Sequence, residues 1–293
     1  MYLKNGLNLK ELFTFFCIFL SIILFADLYF SRSIAMIFIG ILIFYLVRIA
    51  YQIFTEGFFI LLDKRNVGGN IYHVRNFIYP RDLNKSFREI SPINTMGCSS
   101  RSPLYRKSKQ EIIYLDIIKY FIKSLYFKKI LILGGAGCSL ANYFVENRKS
   151  KKIDVIEYNS TMIEWAEKYF LKDDSGINLI QGDGLKFPKL VSGSYDLIII
   201  DMFDGYKFNK GVVDRVFIRD VQDTLNENGI FIINLGSALQ FEKVIKKWQE
   251  FFPLHIYLSR TNLLMSNVKI DSFKFNSPHR FLLTIPQLPA KSK

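Results

Sequence analysis

The sequence predicts an α/β protein in which a doubly wound, seven-stranded sheet follows two long apolar helices. From residue 111 onward, short apolar runs alternate with stretches of helical periodicity. This alternation is typical of a mainly parallel sheet with helices on both faces. Two much longer apolar runs lie near the start of a chain whose mean hydropathy is +0.16. We therefore divide the chain into a hairpin (1–62), a connecting segment (63–110) and an α/β domain (111–289).

The first two apolar runs, over residues 12–30 and 34–54, are predicted to form a transmembrane hairpin. Each approaches the roughly 20 residues that a membrane-spanning helix requires. Lys4 and Lys10 precede the pair, while Arg48, Lys64 and Arg65 lie at its far end. Only Arg32 lies in the turn. The positive-inside rule then places both termini and the α/β domain in the cytoplasm. A cleaved signal peptide and a buried helical hairpin are the alternatives.

The connecting segment, residues 63–110, reads as mostly polar chain with short strands, such as one over 70–79. Its stretch 91–108 is rich in Ser, Pro, Gly and basic residues. Such composition is typical of a linker or of a loop that folds over a site. Apolar residues then recur with helical spacing over 111–125, so we expect a helix that leads into the sheet.

The central strand spans residues 130–133, an unbroken apolar run that suits burial on both faces of a parallel sheet. It ends in the glycine turn, Gly134 to Gly137, where missing side chains let backbone N–H groups approach a ligand. A helix over 138–147 follows, and a second strand over 153–156 ends at Glu157. Dinucleotide-type folds bind ribose hydroxyls with a carboxylate about 20 residues after the glycine turn. The sequence therefore predicts a Rossmann-like nucleoside site.

The later strands of the predicted sheet also lead into polar residues. The third strand (177–180) precedes Asp183 and Gly184, and the fourth (197–200) precedes Asp201 and Asp204. A fifth strand covers 230–233, and two more, over 254–258 and 280–285, close the sheet. Helices are predicted over 160–171, 214–226 and 238–251.

The charge balance and the cysteines indicate which classes of partner the chain can have. A formal net charge of +13 suits nucleic acid or an anionic membrane surface. No stripe of basic residues interleaved with aromatic residues is present, so we expect no nucleic-acid partner. The three cysteines, Cys17, Cys98 and Cys138, show neither pairing nor metal-ligand spacing, so we expect reduced thiols and no metal.

Three kinds of nucleoside site share a glycine turn after the first strand. A phosphate-binding loop requires a lysine that this turn lacks. A dinucleotide site prefers G-x-G-x-x-G, and here Leu140 occupies the position of the third glycine. The third kind, the AdoMet-dependent transferase fold, is the one that places an acid at the end of each following strand.

Four segments together resemble a known family: LILGGAG, IEYN, LIQGDG and YDLIIIDMFDG. In this order and at these strand ends they are similar to the spermidine synthase-like branch of class I AdoMet-dependent transferases. The resemblance covers residues 111–285. It implies an AdoMet-transferase sheet, AdoMet or decarboxylated AdoMet as co-substrate, a small-molecule amine acceptor and no metal. Homodimers are common among similar synthases.

The resemblance assigns most of the conspicuous residues to donor binding. Three glycines would line the methionine-like part of the donor: Gly134, Gly135 and Gly137. Glu157 would bind the ribose hydroxyls, since a carboxylate accepts two hydroxyl donors at once. Asp183, with Gly184 beside it, would accept a hydrogen bond from the adenine amino group.

The two acids after the fourth strand carry the expected chemistry. By the resemblance, Asp201 removes a proton from the attacking amine. An amine attacks the carbon beside a sulfonium only when its lone pair is free, so a general base is required. Asp204 would attract and orient the cationic acceptor.

The chain departs from the family pattern around the acceptor. The family's synthases usually carry an acid at the position of Gly137 and a proline at that of Gly205. Their upstream Gln and Tyr-His-Glu elements are not recognisable here. Two alternatives to aminopropyl transfer therefore stay open. One is an AdoMet methyltransferase of a small or membrane-associated substrate, and the other is a non-catalytic, membrane-bound nucleoside-sensing scaffold.

Overall fold

The computed structural model describes residues 2–3, 9–29, 32–93, 100–104, 125–147, 149–171, 176–204, 207–236, 241–259, 262–267 and 282–283. The chain divides into two compact units. The first comprises residues 1–66, 71–93 and 101–110, and the second comprises residues 67–70, 94–100 and 111–293. The predicted helix over 111–125 lies almost entirely outside the described residues.

Two helices begin the first unit, α1 (Leu9–Tyr29) and α2 (Arg32–Glu56). They pack as an antiparallel hairpin, because the ring centroids of Phe15 and Tyr45 lie 5.0 Å apart and those of Phe19 and Phe38 lie 6.0 Å apart. The two predicted helices are thus present, and each extends a few residues beyond its predicted bounds at one end or both.

Most large apolar side chains of this hairpin face outward, and Leu28 is 78% exposed. Among the described residues, α2 alone is long and apolar enough to cross a membrane, with a mean hydropathy of 2.4 over its most apolar window. In α1 the purely apolar stretch is shorter, Phe13–Phe25. Length and composition therefore favour the second predicted span more than the first.

The chain continues as a five-stranded sheet in the order β1-β2-β3-β4-β5, and most residues of this sheet belong to the first unit. Its strands are β1 (Tyr2–Leu3), β2 (Phe58–Val67), β3 (Asn70–Ile78), β4 (Phe87–Pro92) and β5 (Ser100–Pro103). The predicted strand over 70–79 is confirmed. The apolar residues after Glu56 form a strand rather than a longer helix, since the chain turns at Gly57.

A buried carboxylate ties β3, β4 and β5 together. Glu89 accepts hydrogen bonds from Nε and Nη2 of both Arg75 and Arg101, and also from the Ser91 hydroxyl. The Arg101 guanidinium also lies 4.2 Å from the ring centroid of Phe87. Burial of the Glu89 charge is tolerated because two fork-shaped guanidinium groups satisfy both of its oxygens.

The second unit contains an eight-stranded sheet in the order β15-β13-β14-β12-β9-β6-β7-β8. The strands are β6 (Phe127–Leu133), β7 (Ser150–Glu157), β8 (Ile177–Gln181), β9 (Tyr195–Ile200), β12 (Leu225–Gly236), β13 (His255–Ser259), β14 (Asn262–Ser266) and β15 (Leu282–Leu283). The first five are parallel and the rest antiparallel. The α/β prediction is confirmed, although β14 adds a strand that the sequence did not suggest.

Short elements surround the sheet of the second unit. They are α3 (Ser139–Glu146), α4 (Ser160–Trp165), α5 (Arg215–Thr224), α6 (Phe241–Trp248) and a small hairpin of β10 (Phe203–Asp204) and β11 (Lys207–Phe208). The four helices predicted after the glycine turn are present, but three of them are several residues shorter. The predicted helix over 160–171 ends in a π-helical turn, Ala166–Phe170.

Alternate residues of the parallel strands enter two separate apolar cores. On one face of the sheet, Ile132 of β6 shares a core with Phe144 of α3. On the other face, Leu131 shares a core with Trp248 of α6. Burial on both faces explains why these strands are continuous apolar runs rather than alternating patterns.

Candidate active site

The glycine turn is held in a conformation that excludes side chains at its first two positions. Gly134 has φ +90°, and a Cβ atom there would lie 2.2 Å from the Asp201 carbonyl oxygen. At Gly135 a Cβ atom would lie 2.3 Å from Cγ1 of Val155. These contacts bring the turn against the ends of β7 and β9, so the glycines are required by packing as well as by any ligand.

Glu157, the last residue of β7, binds the glycine turn directly. Its Oε2 accepts hydrogen bonds from the backbone N–H groups of Gly135 (3.1 Å) and Ala136 (2.8 Å). Its Oε1 accepts one from the N–H group of Asn159 at 2.9 Å. A carboxylate offers about four acceptor positions, so three are already used. Binding both ribose hydroxyls, as predicted, would require Glu157 to exchange at least one of these three bonds.

Asp183 follows β8 and caps a short 3₁₀ turn that begins at Gly184. Its Oδ1 accepts a hydrogen bond from the Leu185 N–H group at 3.0 Å. Its Oδ2 lies 3.6 Å from Nζ of Lys186, an exposed ion pair that contributes little to stability. Gly184 is buried. The carboxylate thus has a local structural role, and the predicted adenine contact would use its remaining acceptor capacity.

Asp201 directly follows β9 and is held on two sides. Its N–H group donates to the Leu133 carbonyl oxygen at 2.8 Å, which continues the β6–β9 pairing. Its Oδ1 accepts a hydrogen bond from Nδ2 of Asn234 at 2.9 Å. Asp204 lies on β10, where it pairs with Lys207. The side chain of Asp204 lies outside the described residues, so its predicted role stays a prediction.

Two residues at this edge were missed in the sequence. Ser100 is 2% exposed, belongs to the second unit, and its Oγ accepts a hydrogen bond from the Gly137 N–H group at 2.7 Å. Asn234 ends the apolar run of β12 as Glu157 ends that of β7, so strand-end polarity is a signal that would have found it. Ser100 carries no comparable signal, because it lies in a run of serines far from the turn in sequence.

The thiol at the start of α3 is not a nucleophile. Cys138 is buried, and that burial, with Glu157 and then Glu167 as negative neighbours, raises the pKa of the thiol to about 12. The thiolate is the reactive form of cysteine, so a neutral buried thiol has a packing role.

A second polar cluster extends from the middle of β7 toward the opposite, amino-terminal ends of the neighbouring strands. Asp154 is 3% exposed and accepts hydrogen bonds from the Tyr195 hydroxyl at 2.7 Å and from Nδ2 of Asn178 at 2.8 Å. Nζ of Lys129 lies 3.6 Å from Asp154 and 4.0 Å from the centroid of the Tyr195 ring. Burial and the bond to Asp154 raise the pKa of Tyr195 far above its ordinary value. The polar groups of this cluster thus satisfy one another through hydrogen bonds and an ion pair.

Within the described part of the chain, no group of three or more His, Cys, Asp or Glu side chains is arranged to hold a metal ion. The acids at the carboxyl ends of the strands are instead arranged around a glycine turn. A parallel sheet with such an edge defines the class of Rossmann-like nucleoside-binding folds, since ligands of open α/β sheets bind beyond the carboxyl ends of the strands.

Comparison with known proteins identifies the family within this class. Residues 112–263 match the family model of the spermine/spermidine synthase domain. Because the match covers more than half of the chain, the protein belongs to this family, as the resemblance predicted.

Curated relatives agree with the family assignment. The polyamine aminopropyltransferase of Clostridium botulinum is 28% identical over 149 residues, which are 48% of this chain and 52% of the relative. That of Methanocaldococcus jannaschii is 26% identical over 164 residues, 52% of this chain and 56% of the relative. The chain thus spans about half the length of the curated relatives it matches.

Solved structures support the fold. A probable spermidine synthase from Corynebacterium glutamicum superposes with a TM-score of 0.58 at 18% identity, covering 75% of this chain and 83% of that one. The spermidine synthase from Thermotoga maritima gives a TM-score of 0.53 at 18% identity, over 71% and 72% of the two chains.

Proposed function

We propose that this protein is a spermidine synthase-like aminopropyltransferase that uses decarboxylated AdoMet to alkylate an amine. The observation that carries the proposal is the meeting of Glu157, Asp201 and the glycine turn at one edge of the sheet. Glu157 contacts the turn through hydrogen bonds, and Asp201 contacts it through its backbone. Family membership adds that similar chains are polyamine aminopropyltransferases.

The proposed reaction is a direct displacement at carbon. The amine lone pair forms a bond to the methylene carbon beside the sulfonium, and the carbon–sulfur bond breaks with its electron pair going to sulfur. The Asp201 carboxylate frees that lone pair by taking one proton from the acceptor ammonium, and the products are a neutral thioether and an alkylated ammonium. The chain would accelerate this step by positioning both reactants and by removing the amine proton.

The carboxylates at this edge also suit the charges of the reactants. A sulfonium donor and an ammonium acceptor are both cations, and several carboxylates at one edge attract them. In this scheme Glu157 and Asp183 bind the nucleoside part of the donor. Asp204 orients the acceptor.

A second candidate, AdoMet-dependent methylation, is favoured by one observation. Gly137 carries no acid where the family's synthases usually have one, and its N–H group is bonded to the neutral hydroxyl of Ser100. A pocket without that acid is less suited to the free ammonium of decarboxylated AdoMet and tolerates the carboxylate of AdoMet better. The acceptor would then be a small or membrane-associated molecule.

Calorimetric titration of the full chain in detergent, with AdoMet and decarboxylated AdoMet in parallel, tests the two candidates. The donors differ by one carboxylate, so their relative affinity distinguishes aminopropyl transfer from methylation. We expect tighter binding of decarboxylated AdoMet and transfer to an added polyamine. Preference for AdoMet would favour methylation. Binding of neither donor would contradict both activities, and the non-catalytic scaffold would then become the leading alternative.

We further propose that α1 and α2 cross the membrane as a hairpin, with both termini and the α/β domain in the cytoplasm. At about 1.5 Å per residue, a helix of the length of α2 exceeds the roughly 30 Å of the hydrocarbon core. Its outward apolar side chains support this proposal, as does the scarcity of basic residues in the turn. A homodimer stays an expectation from the resemblance, which light scattering of the detergent-solubilised chain tests.

Membrane fractionation of the Ile43→Lys/Val47→Lys double variant tests the anchor. Both side chains are exposed on α2, and each lysine at the centre of a span costs about 3 kcal/mol. We expect the variant to leave the carbonate-washed membrane pellet, whereas Val216→Lys on the exposed face of α5 remains there. A double variant that stays in the pellet like the unmodified chain would contradict the proposal.

A further inference from the structure

Asn234 lies beside Asp201 because of the register between β9 and β12. These strands are parallel, and Ile233 pairs with Ile200, so the next residues of both strands are neighbours. The side-chain amide of Asn234 donates from Nδ2 to Oδ1 of Asp201 at 2.9 Å, and Asn234 is 5% exposed. A buried carboxamide therefore contacts the carboxylate that we propose as the base.

The orientation of this amide follows from its second hydrogen bond. Oδ1 of Asn234 accepts from the Gly236 N–H group at 3.0 Å, where the pairing of β12 with β14 shifts register. A backbone N–H group can only donate, and an ionised carboxylate can only accept. The amide must then present its oxygen to Gly236 and its nitrogen to Asp201. The reverse orientation would place the amide NH₂ group against the Gly236 N–H group, both donors, and the amide oxygen against the Asp201 carboxylate, both acceptors.

The hydrogen bond from Asn234 opposes the effect that the other carboxylates at this edge have on the protonation of Asp201. Glu157 ends β7 and Asp183 follows β8, the second and third strands from β9, and like charges at the same edge favour protonation of a carboxyl group. Lys186 lies against Asp183, and Lys207 pairs across from Asp204 on the β10–β11 hairpin. A donor held against Asp201 favours the ionised form, which is the form that takes a proton from an amine.

We propose that Asn234 is a positioning residue for the transfer reaction: it orients the Asp201 carboxylate and keeps it ionised. The inference rests on the proposed function, since it assumes that Asp201 is the general base. Asn234 acts through Asp201 and needs no contact with either substrate.

Steady-state kinetics of Asn234→Asp tests this role. The substitution keeps the shape and the acceptor for Gly236, but it replaces the donor to Asp201 with a second carboxylate. We expect kcat to fall at least tenfold at pH 7, with donor affinity within twofold of the unmodified chain. The acidic limb of the pH–rate profile should move to higher pH by about one unit, because a lost donor and an added like charge raise the pKa of Asp201.

Asn178→Asp is the matched control. Asn178 also donates to a carboxylate, that of Asp154, but at the opposite ends of the strands. The control should leave kcat and the pH profile unchanged. If Asn234→Asp also leaves both unchanged, the positioning role is wrong. If it does not fold, Asn234→Ala, which adds no charge, is tested in its place against the same expectations.

A separate measurement distinguishes failure of this inference from failure of the proposed function. If the unmodified chain transfers nothing to any amine, the proposed function fails. The carboxyl ¹³C signal of Asp201, assigned with Asp201→Asn, can still be titrated in the unmodified chain and in Asn234→Ala. A midpoint that rises in Asn234→Ala supports the contact, and an unchanged midpoint overturns it.

Discussion

The two ends of the parallel sheet both hold carboxylates, but they hold them differently. At the amino ends, Asp154 lies within 3.6 Å of the Lys129 ammonium and bonds to Tyr195 and Asn178. At the carboxyl ends, backbone N–H groups donate three hydrogen bonds to Glu157, and the neutral carboxamide of Asn234 donates to Asp201. The ion pair described at the amino ends is largely buried, whereas the one described at the carboxyl ends, between Asp183 and Lys186, is exposed and solvent-screened.

This difference separates a structural carboxylate from a functional one. A buried ion pair that is fully hydrogen-bonded has little left to offer a ligand. A carboxylate held by neutral donors retains its negative charge, and the attraction of a cationic sulfonium or ammonium then contributes to binding. The comparison predicts that substitutions at the carboxyl ends impair activity and that substitutions at the amino ends impair folding.

The largest expected effect is on turnover. Asp201→Asn removes the proposed base but keeps an oxygen for the Asn234 amide, so kcat should fall by roughly a thousandfold. Donor affinity measured by calorimetry should stay within about twofold. Asp196→Asn, at the amino end of β9, is the control and should retain full turnover. An active Asp201→Asn protein would show that the base lies elsewhere.

The second expected effect is on stability. Asp154→Ala leaves the Lys129 ammonium without its carboxylate partner and removes the acceptor of the Tyr195 hydroxyl, which should lower the free energy of unfolding by about 3 kcal/mol. Urea denaturation measures this change. The folded fraction should keep its kcat. If Asp154→Ala lost turnover but kept its full stability, the proposed distinction between the amino and carboxyl ends of the strands would be wrong.

The third expected effect is on donor binding. Glu157→Ala removes the acceptor for the turn N–H groups of Gly135 and Ala136 and the predicted partner of the ribose. Nucleoside affinity should therefore fall at least tenfold by calorimetry. Glu242→Ala, on the exposed side of α6, should bind as the unmodified chain does. Unchanged affinity in Glu157→Ala would contradict the assigned donor site.

The smallest expected effect is on thiol reactivity. With a pKa near 12, the Cys138 thiol is almost entirely protonated at pH 8, and burial excludes reagents from it. In a Cys17→Ser/Cys98→Ser background, iodoacetamide should label the native protein negligibly and the urea-unfolded protein fully. Rapid labelling of the native state would mean that the glycine turn opens readily.

Much of the fold was predictable because its signals are local. A strand buried on both faces must be apolar at consecutive positions, so the five parallel strands were recognisable as short runs. The closing strands were harder, since β14 is a short strand of mixed polarity that gains its definition from pairing with β12 and β13. The sheet of the first unit, with the ion-pair cluster around Glu89, likewise depends on partners distant in sequence.

The sequence by itself determined the α/β class, the glycine turn and the positions of Glu157, Asp183 and Asp201 at strand ends, because the side chain that follows a buried strand lies at the sheet edge. Only the tertiary structure decided what those side chains contact. It placed Asn234 against Asp201 through the register of two strands separated by a helix, and it brought Ser100 to the Gly137 N–H group. Such contacts depend on long-range pairing, and no local pattern of residues encodes the register.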